Sequence, residues 1–296
     1  MSDSRREHPS TYIVQDRDNH DEFTRLQVQD QMLTASMGGV LPEQPDPTSF
    51  KRVLDIGCGT GGWLIETTKT YPNMAQLFGI DISGKMLDYA CNQAKTNQVS
   101  DRVEFVVMDA LRMLEFPTGF FDLVNMRFAQ SWIRKWEWPK LLQEAQRVCK
   151  PGGVIRFTEL DLSVESSGPA FNRIVHHLLI QAFHQAGHYF TPNGDGITAH
   201  LGRLMHQHGV QNVQTRTHTI EYHAGTPEGQ LFIEDMKLAS QTVLPFMRKW
   251  TRVPDDYEVI RQQMLVEMQA PDFVATWQVL TAWGNNEGHQ VFFSEQ

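Results

Sequence analysis

Cysteine is scarce in this sequence. Only Cys58, Cys91 and Cys149 occur among 296 residues, and no two of them form a CxxC pair. Disulfide scaffolds and structural zinc sites need paired or clustered cysteines, so neither is expected here. We therefore expect a protein of a reducing compartment, located in the cytoplasm, with no bound metal.

Long apolar runs and long basic runs are also missing. The segment MSDSRREHPS at residues 1–10 has no apolar signal core, and no run approaches the roughly 18 apolar residues of a transmembrane helix. No basic run exceeds Arg5-Arg6, and the formal net charge is −9. Because nucleic-acid backbones are bound through basic patches, we expect neither a nucleic acid nor a membrane as partner.

What the sequence does contain is a regular alternation of strand and helix patterns. Predicted strands cover residues 51–56, 76–80, 103–108, 122–126 and 154–160, and predicted helices cover 62–70, 86–96 and 138–148. Strands separated by helices of this length predict an α/β fold with a doubly wound, mostly parallel sheet.

The flanking segments have different patterns. Helices are predicted at 21–37, 169–187 and 197–208, and strands at 213–222 and 290–294. A loop as long as residues 223–288 without secondary structure is improbable. We therefore predict helices in this segment, interrupted at Pro245, Pro254 and Pro271. We expect helical insertions on an α/β core.

A glycine-rich turn follows the first predicted strand. Residues 53–62 read VLDIGCGTGG, with Asp55 two positions before the first glycine. Glycines allow a sharp turn and close approach to a ligand, and the helix after them directs its N–H groups toward that ligand. Gly57, Gly59 and Gly62 also satisfy the dinucleotide fingerprint. The turn predicts a nucleotide-like ligand and leaves NAD and S-adenosylmethionine open.

Three later features bear on that choice. Asp81 ends the second strand, where a carboxylate accepts both ribose hydroxyls of an adenosine. Asp109-Ala110 follows the third strand, where an acid accepts from the adenine amino group. A Lys-Pro-Gly-Gly turn at 150–153 closes a helix before the next strand.

Together these elements resemble the class I S-adenosylmethionine-dependent methyltransferases over roughly residues 50–160. The resemblance is carried by Asp55-x-Gly57-x-Gly59-x-Gly61, Asp81, Asp109-Ala110, Phe121-Asp122-Leu123-Val124 and Arg147-Val148-x-Lys150-Pro151-Gly152-Gly153. It implies a seven-stranded Rossmann-like sheet whose last strand is antiparallel, S-adenosylmethionine as cofactor with S-adenosylhomocysteine as product, and no metal. An acid at Asp55 disfavours a nicotinamide site, which usually has an apolar residue there.

The resemblance also implies a chain organisation. It consists of an N-terminal helical lid (1–49), a cofactor-binding core (50–160), a first helical cap (161–196), a core helix and sixth strand (197–222), a second helical cap (223–288) and a last strand (289–296).

The same resemblance places the cofactor residues. The methionine portion of the cofactor is expected beside Asp55 and the turn residues Gly57, Cys58, Gly59 and Gly61. The ribose is expected beside Asp81, Ile82 and Met86, and the adenine beside Asp109 and Ala110. The sulfonium is expected near Asn125 and Arg127. Arg25 and Gln29, four residues apart on the N-terminal helix, either bind the cofactor carboxylate or form a solvated face. Tyr12 is expected to close the site.

The acceptor side is less defined by sequence. Glu159, His184 and His188 are candidate bases; the alternatives are a strand-end cap for Glu159 and packed or solvated histidines. Candidate substrate contacts are Trp132, Asp161, His177, Tyr189, Phe190 and Met236. We expect methyl transfer to oxygen or nitrogen, or else carbon, of a small aromatic or hydrophobic metabolite, by a monomer or homodimer. A cyclisation on the same fold, a nicotinamide oxidoreductase and a non-catalytic subunit remain alternatives.

Overall fold

The structure is a computed structural model that describes residues 12–14, 20–192 and 194–288. The N-terminal half contains α1 (His20–Ser36), β1 (Arg52–Ile56), α2 (Gly62–Thr70), β2 (Gln76–Asp81), α3 (Gly84–Thr96), β3 (Val103–Val107), β4 (Phe121–Arg127), α4 (Trp138–Val148) and β5 (Cys149–Ser166). The strands β1 and β4 are almost continuously buried, as expected for parallel strands covered on both faces. The predicted alternation between residues 51 and 160 is confirmed.

The C-terminal half contains the insertions and the last two strands. A continuous helical segment consists of α5 (Pro169–Asn172), a π-helical stretch (Arg173–Leu179) and α6 (Ile180–Ala186). It is followed by α7 (Leu201–Gln207), β6 (Val210–His223), α8 (Pro227–Thr242), α9 (Leu244–Trp250), α10 (Tyr257–Glu267) and β7 (Val274–Asn286).

The described strands form one seven-stranded sheet. Their order is β3-β2-β1-β4-β5-β7-β6, and β7 is antiparallel to both β5 and β6. The implied sheet with an antiparallel last strand is therefore confirmed. The register pairs Ile56 of β1 with Met126 of β4, and Met126 with Phe157 of β5. The carboxyl-terminal ends of β1 and β4 consequently lie beside each other, next to the middle of β5.

The position of the last strand corrects the sequence prediction. Residues 274–286, which we expected within a helical cap, form β7, and the helices of that segment end at Glu267. Alternate residues of β7 are buried, so period-two packing against β5 and β6 decided their conformation. The expected strand at 290–294 lies outside the described residues.

The buried side chains form three clusters. Two of them cover the sheet around α2, α3 and α4, and the third lies among the helical insertions and the outer parts of β5, β6 and β7. The third cluster includes Phe171, Phe183, Phe232, Phe246 and Trp277. The insertions thus have an apolar interior of their own. Within the described ranges, no helix is long and apolar enough to cross a membrane.

Candidate functional site

A cavity of about 370 Å3 lies at the carboxyl ends of β1, β2, β4 and β5. This is where ligands bind in open α/β sheets. Its two ends differ in chemistry. One end contains the glycine turn and the acids that follow β1, β2 and β3. The other is lined by apolar residues of β5 and the two insertions, namely Leu160, Leu162, Val175, Leu179, Phe183, Met236, Ala239, Val243, and by Trp277 of β7.

The glycine turn needs glycine for two different reasons. Gly57, Gly59 and Gly61 have φ values of +68°, +53° and +75°. A Cβ on Gly57 would lie 2.9 Å from Cζ2 of Trp132, whereas a Cβ on Gly59 would meet only the Met86 sulfur at 4.0 Å. Gly57, Cys58 and Gly59 line the cavity, as predicted for a ligand cradle.

Gly61 is placed differently from its predicted role. It does not line the cavity, and a Cβ there would lie 2.8 Å from Phe105 and 2.9 Å from Ala90. Its small size therefore lets α2 begin close to α3 and β3, which is a packing function. The predicted contact of Gly61 with the cofactor stays a prediction, which the cavity lining does not support.

Asp81 connects two parts of the cavity wall. Its carboxylate accepts hydrogen bonds from the backbone N–H groups of Gly59 at 3.1 Å and Ser83 at 2.8 Å. The glycine turn and the start of α3 are thereby held by one side chain. Ile82, Met86, Asp109 and Ala110 also line the cavity, as their predicted contacts require.

A buried polar chain extends from Asp55 away from the cavity. Asn125 donates to Asp55 at 2.7 Å and accepts from Arg156 at 2.7 Å, and Arg156 donates to Glu43 at 2.7 Å. Asp55 lines the cavity, and burial raises its pKa to about 7 although Arg127 and Asn125 lower it. Asn125 does not line the cavity, so its predicted contact with the cofactor stays a prediction that the lining does not support. No sequence motif pointed to Arg156 or Glu43.

Helix α1 covers the polar end of the cavity. Tyr12, Arg25 and Gln29 all line it, and Arg25 is buried, which decides against a solvated helix face. Arg25 pairs with Glu22 at 2.7 Å and with Asp235 of α8 at 3.3 Å. Gln29 also donates to Asp235, at 3.5 Å. Asp235 is completely buried, and burial raises its pKa to about 6.

Two further contacts hold α1 over the site. The Tyr12 hydroxyl donates to Glu22 at 2.6 Å. Arg127, after β4, lines the cavity, forms an ion pair with Asp30 and donates to the Thr34 hydroxyl at 3.1 Å. The residues of α1 that face the cavity are therefore anchored to the core and to α8.

Glu159 holds a backbone turn and also lines the cavity. Its carboxylate is fully buried and accepts from the backbone N–H groups of Ala129 at 2.9 Å and Gln130 at 3.1 Å. These bonds hold the turn after Phe128, whose φ of +58° is unusual for a large side chain. Glu159 also lines the cavity, and burial raises its pKa to about 8 although the two backbone bonds lower it.

The candidate histidines do not line the cavity. His188 is buried, its Nδ1 lies 2.9 Å from the Ile133 carbonyl oxygen, and burial lowers its pKa to about 4. His184 is half-buried, and His177 is exposed on the same insertion. The structure thus places none of the three at the cavity: His177 lies in the π-helical stretch and His184 on α6, whereas His188 follows the end of α6 and does not share their helix.

Among the predicted substrate residues, Trp132 and Met236 line the cavity, and the others do not. The buried Tyr189 hydroxyl accepts from Gln130 at 3.3 Å. Phe190 packs on His200 with ring centroids 4.0 Å apart, and Asp161 accepts from Thr198 at 3.4 Å. These three residues contact neighbouring loops, and their assignment as substrate contacts stays a prediction that the cavity lining does not support.

Sequence reasoning missed most of the apolar end. Leucine, valine and phenylalanine on a helix give the same signal whether they line a cavity or fill a core, and only packing separates the two. The described residues contain no group of three or more His, Cys, Asp or Glu side chains arranged to hold a metal ion.

Comparison with known proteins agrees with this geometry. Residues 53–153 match the family described as "Methyltransferase domain". A 27-O-demethylrifamycin SV methyltransferase of Amycolatopsis mediterranei is 28% identical over 258 residues, covering 86% of this chain and 79% of that protein. A demethylmenaquinone methyltransferase of Lactiplantibacillus plantarum is 36% identical over 104 residues, or 35% of this chain. The chain spans only 43% of that second relative's length.

A solved structure extends the comparison to the fold. Haemonchus contortus phosphoethanolamine N-methyltransferase 2, in complex with S-adenosyl-L-methionine, has a TM-score of 0.56 at 19% identity and covers 94% of this chain and 60% of its own. The methyltransferase domain matched at residues 53–153, the sheet order and the aligned relatives together support a class I S-adenosylmethionine-dependent methyltransferase.

Proposed function

We propose that this protein binds S-adenosylmethionine at the polar end of the cavity and methylates a small hydrophobic or aromatic molecule held at the apolar end. The observation that carries the proposal is that one cavity joins the glycine turn to a chamber lined by the two helical insertions. When bound, the cofactor supplies an electrophilic methyl group.

The residues at the polar end fit this cofactor. Gly57 and Gly59 have left-handed backbone conformations and leave space that side chains would fill. Asp81 is positioned for the ribose hydroxyls, Asp109 for the adenine amino group, and Asp55 for the ammonium group of the methionine portion. Arg25 and Gln29 would bind the carboxylate, with Tyr12 and Arg127 closing the site. In support, each of these residues lines the cavity.

The apolar end favours a hydrophobic acceptor. Its lining from Val175 to Phe183 and from Met236 to Val243 has no charged side chain among the cavity residues of the described insertions. Burial of an apolar skeleton there contributes roughly 25 cal/mol per Å2 of surface removed from water. Both aligned relatives are named for a small-molecule acceptor, which agrees with this choice.

In methyl transfer, the main task of the protein is to align the nucleophile of the acceptor with the methyl group and the sulfur of the cofactor. The insertions exclude water and hold the acceptor, which lowers the entropic part of the barrier. We propose Glu159 as the base for an acceptor hydroxyl or amine that must lose a proton. With a pKa near 8, the buried Glu159 carboxyl is mostly protonated at neutral pH, and its ionised fraction is a stronger base than an ordinary glutamate.

The test is a turnover assay with the purified full chain. It is supplied with methyl-labelled S-adenosylmethionine and a panel of polycyclic phenols and aryl amines, and labelled product and S-adenosylhomocysteine are quantified together. Equal amounts of both support the proposal. A transformed acceptor without S-adenosylhomocysteine would indicate a non-methylating reaction such as cyclisation.

Calorimetry distinguishes the remaining alternatives. We expect S-adenosylhomocysteine to bind and NAD(H) to give no heat. Asp81→Ala should weaken S-adenosylhomocysteine binding by about tenfold or more, because the acid positioned for the ribose is removed. Unchanged affinity in that variant would contradict the assigned cofactor site.

A further inference from the structure

Asp235 joins the two ends of the cavity, although it does not line the cavity itself. It lies on α8 of the second insertion and is completely buried. Both of its carboxylate oxygens face α1: one accepts from Nη1 of Arg25 at 3.3 Å, and the other accepts from the Gln29 amide at 3.5 Å. Arg25 and Gln29 line the polar end. One residue of the second insertion therefore holds both α1 side chains that are proposed to bind the cofactor carboxylate.

The same face of α8 forms part of the apolar end. Met236 and Ala239 line that end. Because successive residues of an α-helix are rotated by about 100°, Asp235, Ala239 and Met236 occupy one continuous arc of the helix surface. The part of α8 that faces the acceptor chamber thus begins at the residue that binds α1. A shift of Asp235 relative to α1 would move the chamber wall with it.

The bonds between α1 and α8 leave donor capacity for a ligand. Nη1 of Arg25 and the amide nitrogen of Gln29 each carry two hydrogens, so each can bind Asp235 and a ligand oxygen at the same time. The other edge of the Arg25 guanidinium binds Glu22, which accepts from Nε at 2.8 Å and from Nη2 at 2.7 Å. Glu22 and Asp235 together fix the direction in which Arg25 presents its charge.

The buried surface of α8 is partly polar. Its buried residues include Asp235, Ser240 and Thr242 beside Phe232. A buried ionic contact contributes less net stability than apolar packing of the same volume, and its contribution depends on the pairing of each charge. The position of α8 is therefore sensitive to what Arg25 binds.

We propose that Asp235 is a positioning residue that aims Arg25 and Gln29 at the cofactor carboxylate and thereby couples cofactor binding to the position of α8. With both donors bound to that carboxylate, their bonds to Asp235 are fixed and α8 is held against α1. The wall that Met236 and Ala239 form is then set before the acceptor arrives. Because coupling between two sites is reciprocal, an acceptor packed on this wall strengthens cofactor binding by the same factor.

The test is amide hydrogen exchange of the purified full chain, with and without saturating S-adenosylhomocysteine, read by mass spectrometry of peptides from α8 and α10. Exchange at residues 236–242 of α8 should slow by about fivefold or more, as is usual for coupling between sites. Exchange in α10 should change by less than about twofold, because α10 belongs to the same insertion but none of its described residues lines the cavity. Unchanged or faster exchange in α8 would overturn the proposal.

Asp235→Leu tests whether the response passes through Asp235. Arg25 keeps its two bonds to Glu22 in this variant, so its buried charge stays paired. At saturation confirmed by calorimetry, S-adenosylhomocysteine should slow exchange in α8 by less than about twofold. A response as large as in the unaltered protein would overturn the assignment to Asp235.

Ser240→Ala is the matched control. Ser240 is also buried on α8, but its hydroxyl donates to the Lys237 carbonyl oxygen of the same helix at 3.1 Å. This variant should keep the slowing of α8 by S-adenosylhomocysteine. A response lost equally in Ser240→Ala would show that any disturbance of α8 has this effect, and would contradict the proposed link to α1.

The inference rests on the proposed cofactor site, and the same experiment separates the two. If S-adenosylhomocysteine does not bind the unaltered protein, the proposed function is rejected and the coupling with it. If S-adenosylhomocysteine binds without slowing exchange in α8, the coupling alone is rejected and the cofactor site stands.

Discussion

The side-chain amide of Asn125 donates to the Asp55 carboxylate at 2.7 Å, and both groups are buried. Asp55 faces the cavity, whereas Asn125 lies behind it and accepts in turn from Arg156. The acid proposed to bind the cofactor ammonium is thus oriented by a residue that does not itself line the cavity. Asn125 is a positioning residue.

Replacing this positioning residue should cost both stability and affinity. Asn125→Leu removes the donor to Asp55 and the acceptor of Arg156, leaving two buried polar groups short of a partner. We expect the free energy of unfolding to fall by about 2 to 4 kcal/mol in urea titrations, with weaker S-adenosylhomocysteine binding by calorimetry. Asn73→Leu, at an exposed position, should stay within about 0.5 kcal/mol. Equal effects of the two substitutions would refute the assigned role.

The glycine turn allows a paired test of space against backbone conformation. Gly57 and Gly152 have similar φ values of +68° and +76°, so substitution by alanine at either position should cause similar backbone strain. Only the Gly57 methyl would contact Trp132, at 2.9 Å; no atom of the described residues lies within 4 Å of a methyl at Gly152. Gly57→Ala should weaken S-adenosylhomocysteine binding about tenfold or more, and Gly152→Ala less than about twofold, by calorimetry. Similar losses in the two would mean that the contact with Trp132 is unimportant.

The stability of the protein should depend on pH through Glu159. Its pKa is about 8 in the folded protein against an ordinary 4.5, so between these values the folded state keeps a proton that the unfolded state releases. Stability therefore falls as pH rises through this window. Asp55 and Asp235, with raised pKa values of about 7 and 6, contribute in the same direction.

Glu159→Gln removes one of these three contributions. The loss of unfolding free energy between pH 5 and pH 8, measured by urea titration, should become smaller by about 1 to 3 kcal/mol. The dependence should not vanish, because Asp55 and Asp235 remain. Parallel pH profiles for the two proteins would show that Glu159 does not hold a proton in the folded state.

A comparison of candidate bases tests the corrected assignment. Glu159 lines the cavity and His184 does not. In initial-rate measurements of S-adenosylhomocysteine formation, Glu159→Gln should lower kcat by about a hundredfold, in the range usual for a lost general base. His184→Ala should remain within about twofold of the unaltered protein. The reverse order would restore the histidine as the base and remove Glu159 from the proposed chemistry.

Sequence alone predicts the site residues that one local segment positions, but not the contacts that depend on packing between distant segments. Asp55, Gly57 and Asp81 lie within one consecutive strand–turn–helix–strand unit, so their placement follows from local geometry. Asp235 and Gln29 are separated by 206 positions in the chain, and their hydrogen bond depends on how α8 packs against α1. No local pattern contains that information.

The sequence by itself determined the alternating core, the glycine turn and the acids that end its strands, because short-range backbone geometry and period-specific burial fix these features. Tertiary structure alone decided that residues 274–286 form β7, that His184 and His188 lie away from the cavity, and that Trp277 lines its apolar end. The physical reason is that an apolar or aromatic side chain has the same local preference in a core and in a cavity wall. Whether such a side chain faces a cavity depends on how β7 and the two insertions pack around it.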